Sequence, residues 1–291
     1  MPSNSTAIRL PESTNCPVID AHHHLWRYSA TEYGWIDDRM ATLRRDFLIP
    51  DLVAELANAG IDGAVAVQAR QTLGETRWLL ELAQSCEAIR GVVGWAPLAA
   101  SDFEASLPAL AAEPKLVGLR HIVQAEPQGF LDGADFNRGI RAMRTTGLVY
   151  DLLIVESQLG EAIRFVDRHP QQTFVLNHIA KPKIAAKEIE PWRTLMRELS
   201  KRRNVCCKIS GVVTEDAWSS WSMESLRPYL DVVVEAFGAD RLLTGSDWPV
   251  CLVATGYARW WQELRNYFAS FSENERANIF GATATRVYGL K

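Results

Sequence analysis

The chain has 291 residues, of which 47% are hydrophobic, and its 31 basic and 35 acidic side chains give a net charge of −4. This length and composition suit one large α/β barrel or two ordinary domains, and they exclude a disordered or fibrous protein. A nucleic-acid partner would need a basic stripe, which the sequence lacks, and no apolar run is long enough to span a bilayer.

The cysteines and the N-terminal residues indicate the compartment. Five cysteines are an odd number, and Cys206 and Cys207 are adjacent, which disfavours a disulfide between them. Residues 1–16 are polar, contain two prolines and lack the apolar core of a signal peptide. We therefore expect a flexible N-terminal tail over residues 1–16 and a soluble protein of the reducing cytoplasm.

Eight short apolar segments rich in β-branched residues predict strands. Their starts are 25 to 43 residues apart, which leaves room for a crossover helix between each pair. The predicted strands are residues 18–22, 61–68, 91–95, 116–122, 148–154, 173–178, 205–210 and 241–247.

Three of the intervening segments carry clear helix boundary signals. They are a helix from Pro50-Asp51 to Gly60, a helix capped by Ser157 that ends before Pro170, and a helix over residues 223–237 that Gly238 stops. Apolar strands that alternate with amphipathic helices predict a parallel sheet covered by helices.

Eight such units in about 250 residues favour a closed (β/α)8 TIM barrel over an open doubly wound sheet. No G-x-G-x-x-G motif follows an early strand, as the doubly wound alternative would require for a dinucleotide. We predict a single α/β domain over residues 17–291. The loop over residues 25–48 is the longest connection and is a candidate lid.

Reactive side chains gather at the carboxyl ends of the predicted strands, where barrels of this kind carry out their chemistry. Strand 1 ends in Asp20-Ala21-His22-His23-His24, strand 4 in Arg120-His121, strand 6 in Asn177-His178 and strand 8 in Ser246-Asp247-Trp248-Pro249. The two-residue period of a strand directs His22 and His24 to the same side and His23 to the other. One such histidine is usually a packed residue, but several that converge on one barrel mouth predict an active site.

These motifs resemble the amidohydrolase superfamily in kind and order. The resemblance rests on the His22–His24 motif of strand 1, on His178 and on Asp247, and it extends to residues 277–281 and 288–290, so it covers essentially the whole chain. Within the superfamily, residues 204–211 and 245–250 are most similar to the sugar-lactonase branch of L-fuconolactonases and L-rhamnonolactonases, and also to 2-pyrone-4,6-dicarboxylate lactonases.

The resemblance implies a metal site, but this chain departs from the binuclear members of the superfamily at strands 4 and 5. Binuclear members carry a bridging carboxylated lysine on strand 4 and a histidine on strand 5, whereas this chain has Arg120-His121 and Tyr150-Asp151 there. A two-metal site is therefore not expected. A divalent ion, zinc for this donor set, could be held by His22, His24, His178 and Asp247, or these residues could work without metal. No organic cofactor is expected.

The implied reaction is hydrolysis of a sugar lactone, such as L-fucono-1,5-lactone, to the aldonic acid. A lactone is a cyclic ester, so hydrolysis needs a base for water, stabilisation of the oxyanion and an acid for the leaving ring oxygen. We expect Asp247 to be the base and then the acid, with His22, His24 and His178 polarising the carbonyl. Taken alone, Asp247 could also be a helix N-cap.

A second set of strand-end residues is expected to bind substrate: Arg120, His121, Trp26, Gln68, Trp95, Asp151, Lys208 and Trp248. Arg120 and His121 would hold hydroxyls or the developing carboxylate. Lys208, Gln68 and Asp151 could instead form an ion pair or loop-fixing hydrogen bonds within the barrel.

Ten tryptophans are well above the usual frequency. Four of them, Trp78, Trp192, Trp260 and Trp261, fall on predicted helices, where packing explains them. The other six follow strands and are predicted to wall the pocket, because flat rings pack against the C–H face of a sugar; they are Trp26, Trp35, Trp95, Trp218, Trp221 and Trp248.

Two other functions stay open. A hydrolase of a dicarboxylate lactone, or a metal-dependent decarboxylase, would need several cations in its pocket, whereas only Arg120 and Lys208 lie at strand ends, with Arg27 and Arg70 in nearby loops. A non-catalytic sugar-binding barrel would not need all four reactive positions. The sequence leaves open which sugar lactone is used, its ring size and the oligomeric state, a homo-oligomer included.

Overall fold

Eight parallel strands and the helices between them make up most of residues 16–291, the part of the chain that this computed structural model describes. The predicted tail lies outside the described residues except for Cys16, so the domain boundary at residue 17 stays a prediction. The strands are β1 (Ile19–His23), β2 (Gly63–Val67), β3 (Ile89–Gly94), β4 (Leu116–Ile122), β5 (Val149–Leu153), β6 (Phe174–Leu176), β7 (Val205–Ile209) and β8 (Leu242–Thr244).

Each strand pairs in parallel with the next along the chain. The sheet closes on itself where the segment after β8 meets β1, since the Asp247 backbone N–H donates to His22 O at 2.8 Å and the His24 backbone N–H donates to Trp248 O at 2.6 Å. Sequential order and closure confirm the predicted (β/α)8 barrel over the doubly wound alternative.

Helices separate the strands and cover the barrel. They are α1 (Ile49–Ala59), α2 (Leu73–Ser85), α3 (Phe103–Ala111), α4 (Ala134–Met143), α5 (Leu159–Arg168), α6 (Trp192–Leu199), α7 (Met223–Phe237), α8 (Tyr257–Tyr267), α9 (Glu273–Ala277) and α10 (Thr283–Tyr288). None of the helices in residues 16–291 is long and apolar enough to cross a membrane.

The predicted helix boundaries are right at α1, at α7 and at the end of α5, which stops at Arg168 before Pro170, and wrong at the start of α5. Helix α1 ends at Gly60, which adopts the left-handed conformation, and α7 has the predicted bounds. Ser157 does not cap α5, because a 3-10 turn (Glu156–Gln158) precedes the helix and Gln158 Oε1 accepts the Val155 backbone N–H at 3.1 Å instead.

Strands β6 and β8 are shorter than predicted. They end at Leu176 and Thr244, so His178 and Asp247 lie in the loops that follow. Both residues have a positive φ, 53° and 57°, which is incompatible with an extended strand. These two loops therefore aim their side chains by backbone turns and not by strand alternation.

The barrel interior is filled by apolar side chains at its amino-terminal end and polar ones at its carboxyl end. The apolar group consists of Ile19, Ala21, Val65, Val67, Val93, Val149, Val175, Cys206 and Leu243, joined by Ala284 and Tyr288 of α10. A second and larger apolar cluster packs the strands against the surrounding helices. Because apolar side chains fill the amino-terminal end of the barrel, the barrel is accessible from its carboxyl end.

The loop over residues 25–48 crosses this mouth. Trp26 and Phe47 pair through their backbones at 3.0 and 2.9 Å, which fixes the base of the loop, and a 3-10 helix (Asp38–Leu43) lies between them. Trp35 and Met40 of this loop line the cavity described below. Opening and closing as a lid stays a prediction.

Candidate active site

Strand β1 and the residue that follows it contribute two histidines on one side, as strand alternation predicts. The Nε2 atoms of His22 and His24 are 3.3 Å apart. His24 Nδ1 lies 2.7 Å from the Val67 carbonyl oxygen, which can only accept, so this nitrogen carries the proton. The lone pair of His24 therefore lies on Nε2, toward the centre of the site.

His178 lies on an unusual turn after β6. Residues 178–181 all have a positive φ, from 47° to 59°, a conformation that costs L-residues about 1–2 kcal/mol each. Tertiary hydrogen bonds hold the turn: the Trp192 indole N–H donates to Ile179 O at 2.8 Å, and His178 Nδ1 donates to Ser210 O at 3.1 Å. This leaves His178 Nε2 free to face Asp247, and backbone strain at a functional site is a common observation.

Asp247 lies at the centre of the three histidines. Its Oδ1 is 3.3 Å from His24 Nε2, 3.6 Å from His22 Nε2 and 3.9 Å from His178 Nε2. All four side chains are almost fully buried, and the Asp247 side chain is 6% exposed. The chain thus brings together the four residues that the sequence proposed as catalytic.

Asp20 fastens β1 to the loop that carries Asp247, and sequence reasoning missed it. Its buried carboxylate accepts the Ser246 backbone N–H at 2.9 Å, the Ser246 hydroxyl at 2.6 Å, the Tyr257 hydroxyl at 3.0 Å and the His22 backbone N–H at 3.1 Å. Burial raises the pKa of Asp20 to about 6 despite these donors. Its neighbours Ile19 and Ala21 face the barrel interior, and an irregularity in the strand pairing between Asp20 and His23 breaks the alternation, so strand periodicity gave no signal for Asp20.

Gly211 lies directly behind His178 and Asp247. A Cβ atom at this position would stand 2.7 Å from His178 Nδ1 and 2.8 Å from Asp247 Oδ2, closer than carbon and these atoms approach, and the residue has a φ of +61°. Only glycine lacks a Cβ atom and adopts this positive φ without strain. The backbone of the β7 loop can therefore support the two reactive side chains from behind.

Burial and proximity determine the charge of the cluster. Burial lowers the pKa of His178 to about 3, and burial together with the Lys208 charge lowers the pKa of His22 well below its usual value. Burial opposes ionisation of Asp247, but the adjacent His178 and His24 favour it more strongly, and its pKa lies at about 2. At neutral pH the site therefore holds a carboxylate among neutral imidazoles.

Three of these donors have the spacing of a single metal site. Ligands bound to zinc at about 2.0–2.2 Å in tetrahedral geometry lie about 3.3–3.6 Å apart. The Nε2 atoms of His22 and His24 and the Oδ1 of Asp247 are 3.3 to 3.6 Å apart, and they form the group of potential ligands in the described residues. His24 Nε2 and Asp247 Oδ1 also face each other as two acceptors, an arrangement that a cation would satisfy. The residues present therefore fit one divalent ion.

Arg120 is the residue of the predicted substrate-binding set that lines the cavity. Its Nη1 lies 3.3 Å from His22 Nε2 and donates to Asn177 Oδ1 at 3.2 Å, and its Nη2 donates to Gln68 O. This framework orients the guanidinium beside the histidines, where it can donate hydrogen bonds to a bound oxygen.

Lys208 and Asp151 lie beneath the histidines, inside the barrel. Lys208 Nζ donates to Asp151 Oδ2 at 2.8 Å and lies 3.4 Å from His22 Nδ1, and both members of the pair are fully buried. Asp151 also accepts from Tyr288 Oη at 2.7 Å and Asn177 Nδ2 at 2.8 Å. The structure shows the buried ion pair that was the alternative for these residues, and their contact with substrate stays a prediction.

Three more predicted substrate contacts have other partners. Gln68 Nε2 donates to Arg120 O at 3.0 Å. His121 points away from the histidine cluster, since it accepts from Trp95 Nε1 at 3.3 Å and its Nε2 lies 2.7 Å from Glu126 Oε1. A role for Gln68, His121 and Trp95 in binding substrate stays a prediction that no contact with the cavity supports.

A cavity of about 430 Å³ opens over His24, His178 and Asp247. Its apolar lining includes Met40, Ile122, Leu153, Val250 and Val253. Of the six tryptophans predicted to wall it, Trp35 and Trp218 do so. Trp26 and Trp248 are fully buried against Phe47, and Trp221 is buried beside Trp260, because these rings anchor the loops to the barrel.

The cavity also contains an ion pair that sequence reasoning missed. Lys181 Nζ lies 3.3 Å from Glu215 Oε1, and both line the cavity. Within the described part of the chain, the charged residues of the lining are thus two cations, Arg120 and Lys181, and two anions, Glu215 and Asp247. Only the left-handed turn that begins at His178 brings Lys181 here, and the sequence gives no signal for such a turn.

Known proteins resemble this chain over nearly its full length. The sequence profile of the Amidohydrolase family matches residues 19–290. L-fucono-1,5-lactonase of Burkholderia multivorans is 40% identical over 94% of this chain and 96% of the relative, and that of Burkholderia ambifaria is 34% identical over 94% and 95%. A crystal structure of an amidohydrolase from Burkholderia multivorans with bound zinc superimposes with a TM-score of 0.91 at 39% identity, covering 94% of this chain and all of that one.

Proposed function

The chain belongs to the amidohydrolase family, and we propose that it hydrolyses a neutral sugar lactone, L-fucono-1,5-lactone or a close aldonolactone, to the aldonic acid. One observation carries the proposal: the Asp247 carboxylate lies within 4 Å of three neutral imidazoles on the floor of a cavity large enough for a small sugar. The two lactonase relatives support the choice of a cyclic ester.

The residues of the site account for each step of hydrolysis. Asp247 accepts a proton from water as the water oxygen attacks the lactone carbonyl carbon, and the Arg120 guanidinium donates hydrogen bonds to the oxyanion that forms. The bond from that carbon to the ring oxygen then breaks, and protonated Asp247 returns its proton to the ring oxygen. The low pKa of Asp247 keeps it ionised at neutral pH, and an ester is reactive enough to need only a weak base.

One divalent ion, zinc for this donor set, would be held by His22 Nε2, His24 Nε2 and Asp247 Oδ1 and would polarise the lactone carbonyl. A positive charge for the same polarisation is available from the chain, since Arg120 lines the cavity and its Nη1 lies 3.3 Å from His22 Nε2. We propose that the ion is accommodated but not essential.

Removal of metal is therefore expected to lower kcat less than tenfold. The measurement is lactone hydrolysis before and after dialysis against a chelator, with metal content determined by elemental analysis of the same samples. A loss of tenfold or more that added zinc restores would contradict the proposal, because it would make the ion the main source of carbonyl polarisation.

The charges of the cavity disfavour the dicarboxylate alternative. A substrate with two carboxylates needs an excess of cations, whereas the lining has two of each sign. Lys208 is buried below, Arg27 stacks on Trp78 and Arg70 pairs with Glu32, so none of the three adds its charge to the lining. A neutral polyhydroxy lactone is the better match.

A panel of 1,4- and 1,5-aldonolactones tests the proposal, with a pH indicator to report the acid that is formed. We expect L-fucono-1,5-lactone to be hydrolysed with a kcat/KM at least 100-fold above that for 2-pyrone-4,6-dicarboxylate. Heat-inactivated enzyme corrects for spontaneous hydrolysis of the lactones. Failure to hydrolyse any aldonolactone would overturn the proposed function and leave the dicarboxylate hydrolase, the decarboxylase and the non-catalytic barrel as alternatives.

A further inference from the structure

Lys181 and Glu215 lie side by side in the cavity lining and have no step to perform in the reaction described above. They belong to different loops, after β6 and after β7, and their side chains meet at 3.3 Å. Each side chain is 22% exposed, so both charges are largely withdrawn from water but open to a molecule in the cavity. Ion pairs of this kind on a surface contribute little to stability.

The backbone fixes both residues relative to the reactive groups. Lys181 closes the left-handed turn that begins at His178, and its backbone N–H donates to His178 O at 2.8 Å. On the other loop, the Glu215 carbonyl accepts the Ala185 backbone N–H at 3.0 Å, which ties the β7 loop to the β6 loop. The pair is thus held in constant register with His178 and Asp247.

The chemistry of the pair matches two neighbouring hydroxyl groups. An ammonium group only donates hydrogen bonds and a carboxylate only accepts them, whereas a hydroxyl does both. A sugar ring that enters the cavity displaces water from both charges, and adjacent hydroxyls can replace that water, one accepting from Lys181 and the other donating to Glu215. An ester without hydroxyls would leave both charges poorly solvated, and a carboxylate would be repelled by Glu215.

We propose that Lys181 and Glu215 form a hydroxyl clamp that selects neutral polyhydroxy lactones by binding two of their hydroxyl groups. This inference rests on the proposed lactonase function and adds its specificity determinant. The clamp touches the substrate away from the ester, so it strengthens binding of substrate and transition state alike. Its loss should therefore raise KM and leave kcat nearly unchanged.

The test uses Lys181→Met and Glu215→Gln, which remove each charge and keep most of the side-chain volume. For L-fucono-1,5-lactone we expect KM to rise about 10- to 100-fold in each variant, the range for a lost hydrogen bond to a charged group, with kcat within about threefold. Lys183→Met is the matched control, because Lys183 lies on the same loop, is 56% exposed and pairs with Glu156 and Glu188 away from the cavity. Its KM should stay within about twofold of the wild-type value.

A second substrate distinguishes a role of the pair in binding hydroxyl groups from a purely structural role in holding the site together. δ-Valerolactone has the same ring ester without hydroxyls, so the ratio of kcat/KM for L-fucono-1,5-lactone to that for δ-valerolactone should fall at least tenfold in both variants. An unchanged ratio, an unchanged KM or a loss confined to kcat would overturn the clamp. The wild-type enzyme is measured first: if it hydrolyses no aldonolactone, the proposed function fails and the clamp with it, whereas a failure of the variants alone overturns only the clamp.

Discussion

Asp247→Asn is expected to lower kcat for L-fucono-1,5-lactone by about 1,000-fold or more, within the range for loss of a positioned acid–base group. The amide has the shape of the carboxylate and leaves the buried contacts with His24 and His178 in place, but it cannot take a proton from water. KM should change by less than about fivefold, because the cavity walls are untouched. Initial rates with a pH indicator, at enzyme concentrations raised in proportion to the loss, give both constants.

Asp240→Asn is the matched control for this substitution. Asp240 is an exposed aspartate that accepts a hydrogen bond from Asn278 Nδ2 at 2.7 Å far from the cavity, so the variant should keep wild-type rates. An Asp247→Asn enzyme with near-wild-type kcat would exclude Asp247 as the base. It would shift that role to His178 or His24, whose Nε2 lone pairs also face the cavity floor.

Lys208→Met is expected to lower the free energy of unfolding by about 3–5 kcal/mol, the usual cost of breaking one side of a buried ion pair. Lys208 and Asp151 are both fully buried, and the methionine would leave the Asp151 carboxylate with Asn177 and Tyr288 as its remaining donors. Urea unfolding followed by tryptophan fluorescence measures the change, because many of the ten tryptophans are buried.

The double variant Lys208→Met/Asp151→Asn should recover at least half of that loss, because it removes the uncompensated charge. Lys201→Met is the surface control: its pair with Glu198 is exposed, so we expect a change below about 0.5 kcal/mol. A Lys208→Met protein as stable as the wild type would show that Asp151 is not charged in the folded state or that water reaches it.

The barrel and half of its site could be predicted from the sequence. Apolar strands alternate with amphipathic helices eight times, and this pattern predicts a parallel barrel before any contact is known. The two-residue period of β1 places the His22 and His24 side chains together, and the structure has their Nε2 atoms 3.3 Å apart. Local periodicity was enough in both cases, because the strand itself positions these residues.

The other half depends on backbone turns and packing that local patterns do not encode. His178 and Lys181 reach the cavity through four left-handed residues that tertiary hydrogen bonds help to hold, so Lys181 was missed. Lys208 and Trp248 lie near strand ends like true lining residues, yet one pairs with Asp151 and the other packs on Phe47. The sequence can therefore identify a polar or aromatic residue at a strand end as a candidate lining residue, but only the fold decides whether its side chain points into the cavity.

The most direct test of the account is the appearance of L-fuconate from L-fucono-1,5-lactone, followed by nuclear magnetic resonance with wild-type and Asp247→Asn enzyme at equal concentration. We predict that the wild-type enzyme converts the lactone far faster than it hydrolyses spontaneously, and that the variant stays at the spontaneous rate over the same period. Equal rates in both samples, whether fast or spontaneous, would contradict the claim that Asp247 drives hydrolysis of a sugar lactone in this barrel.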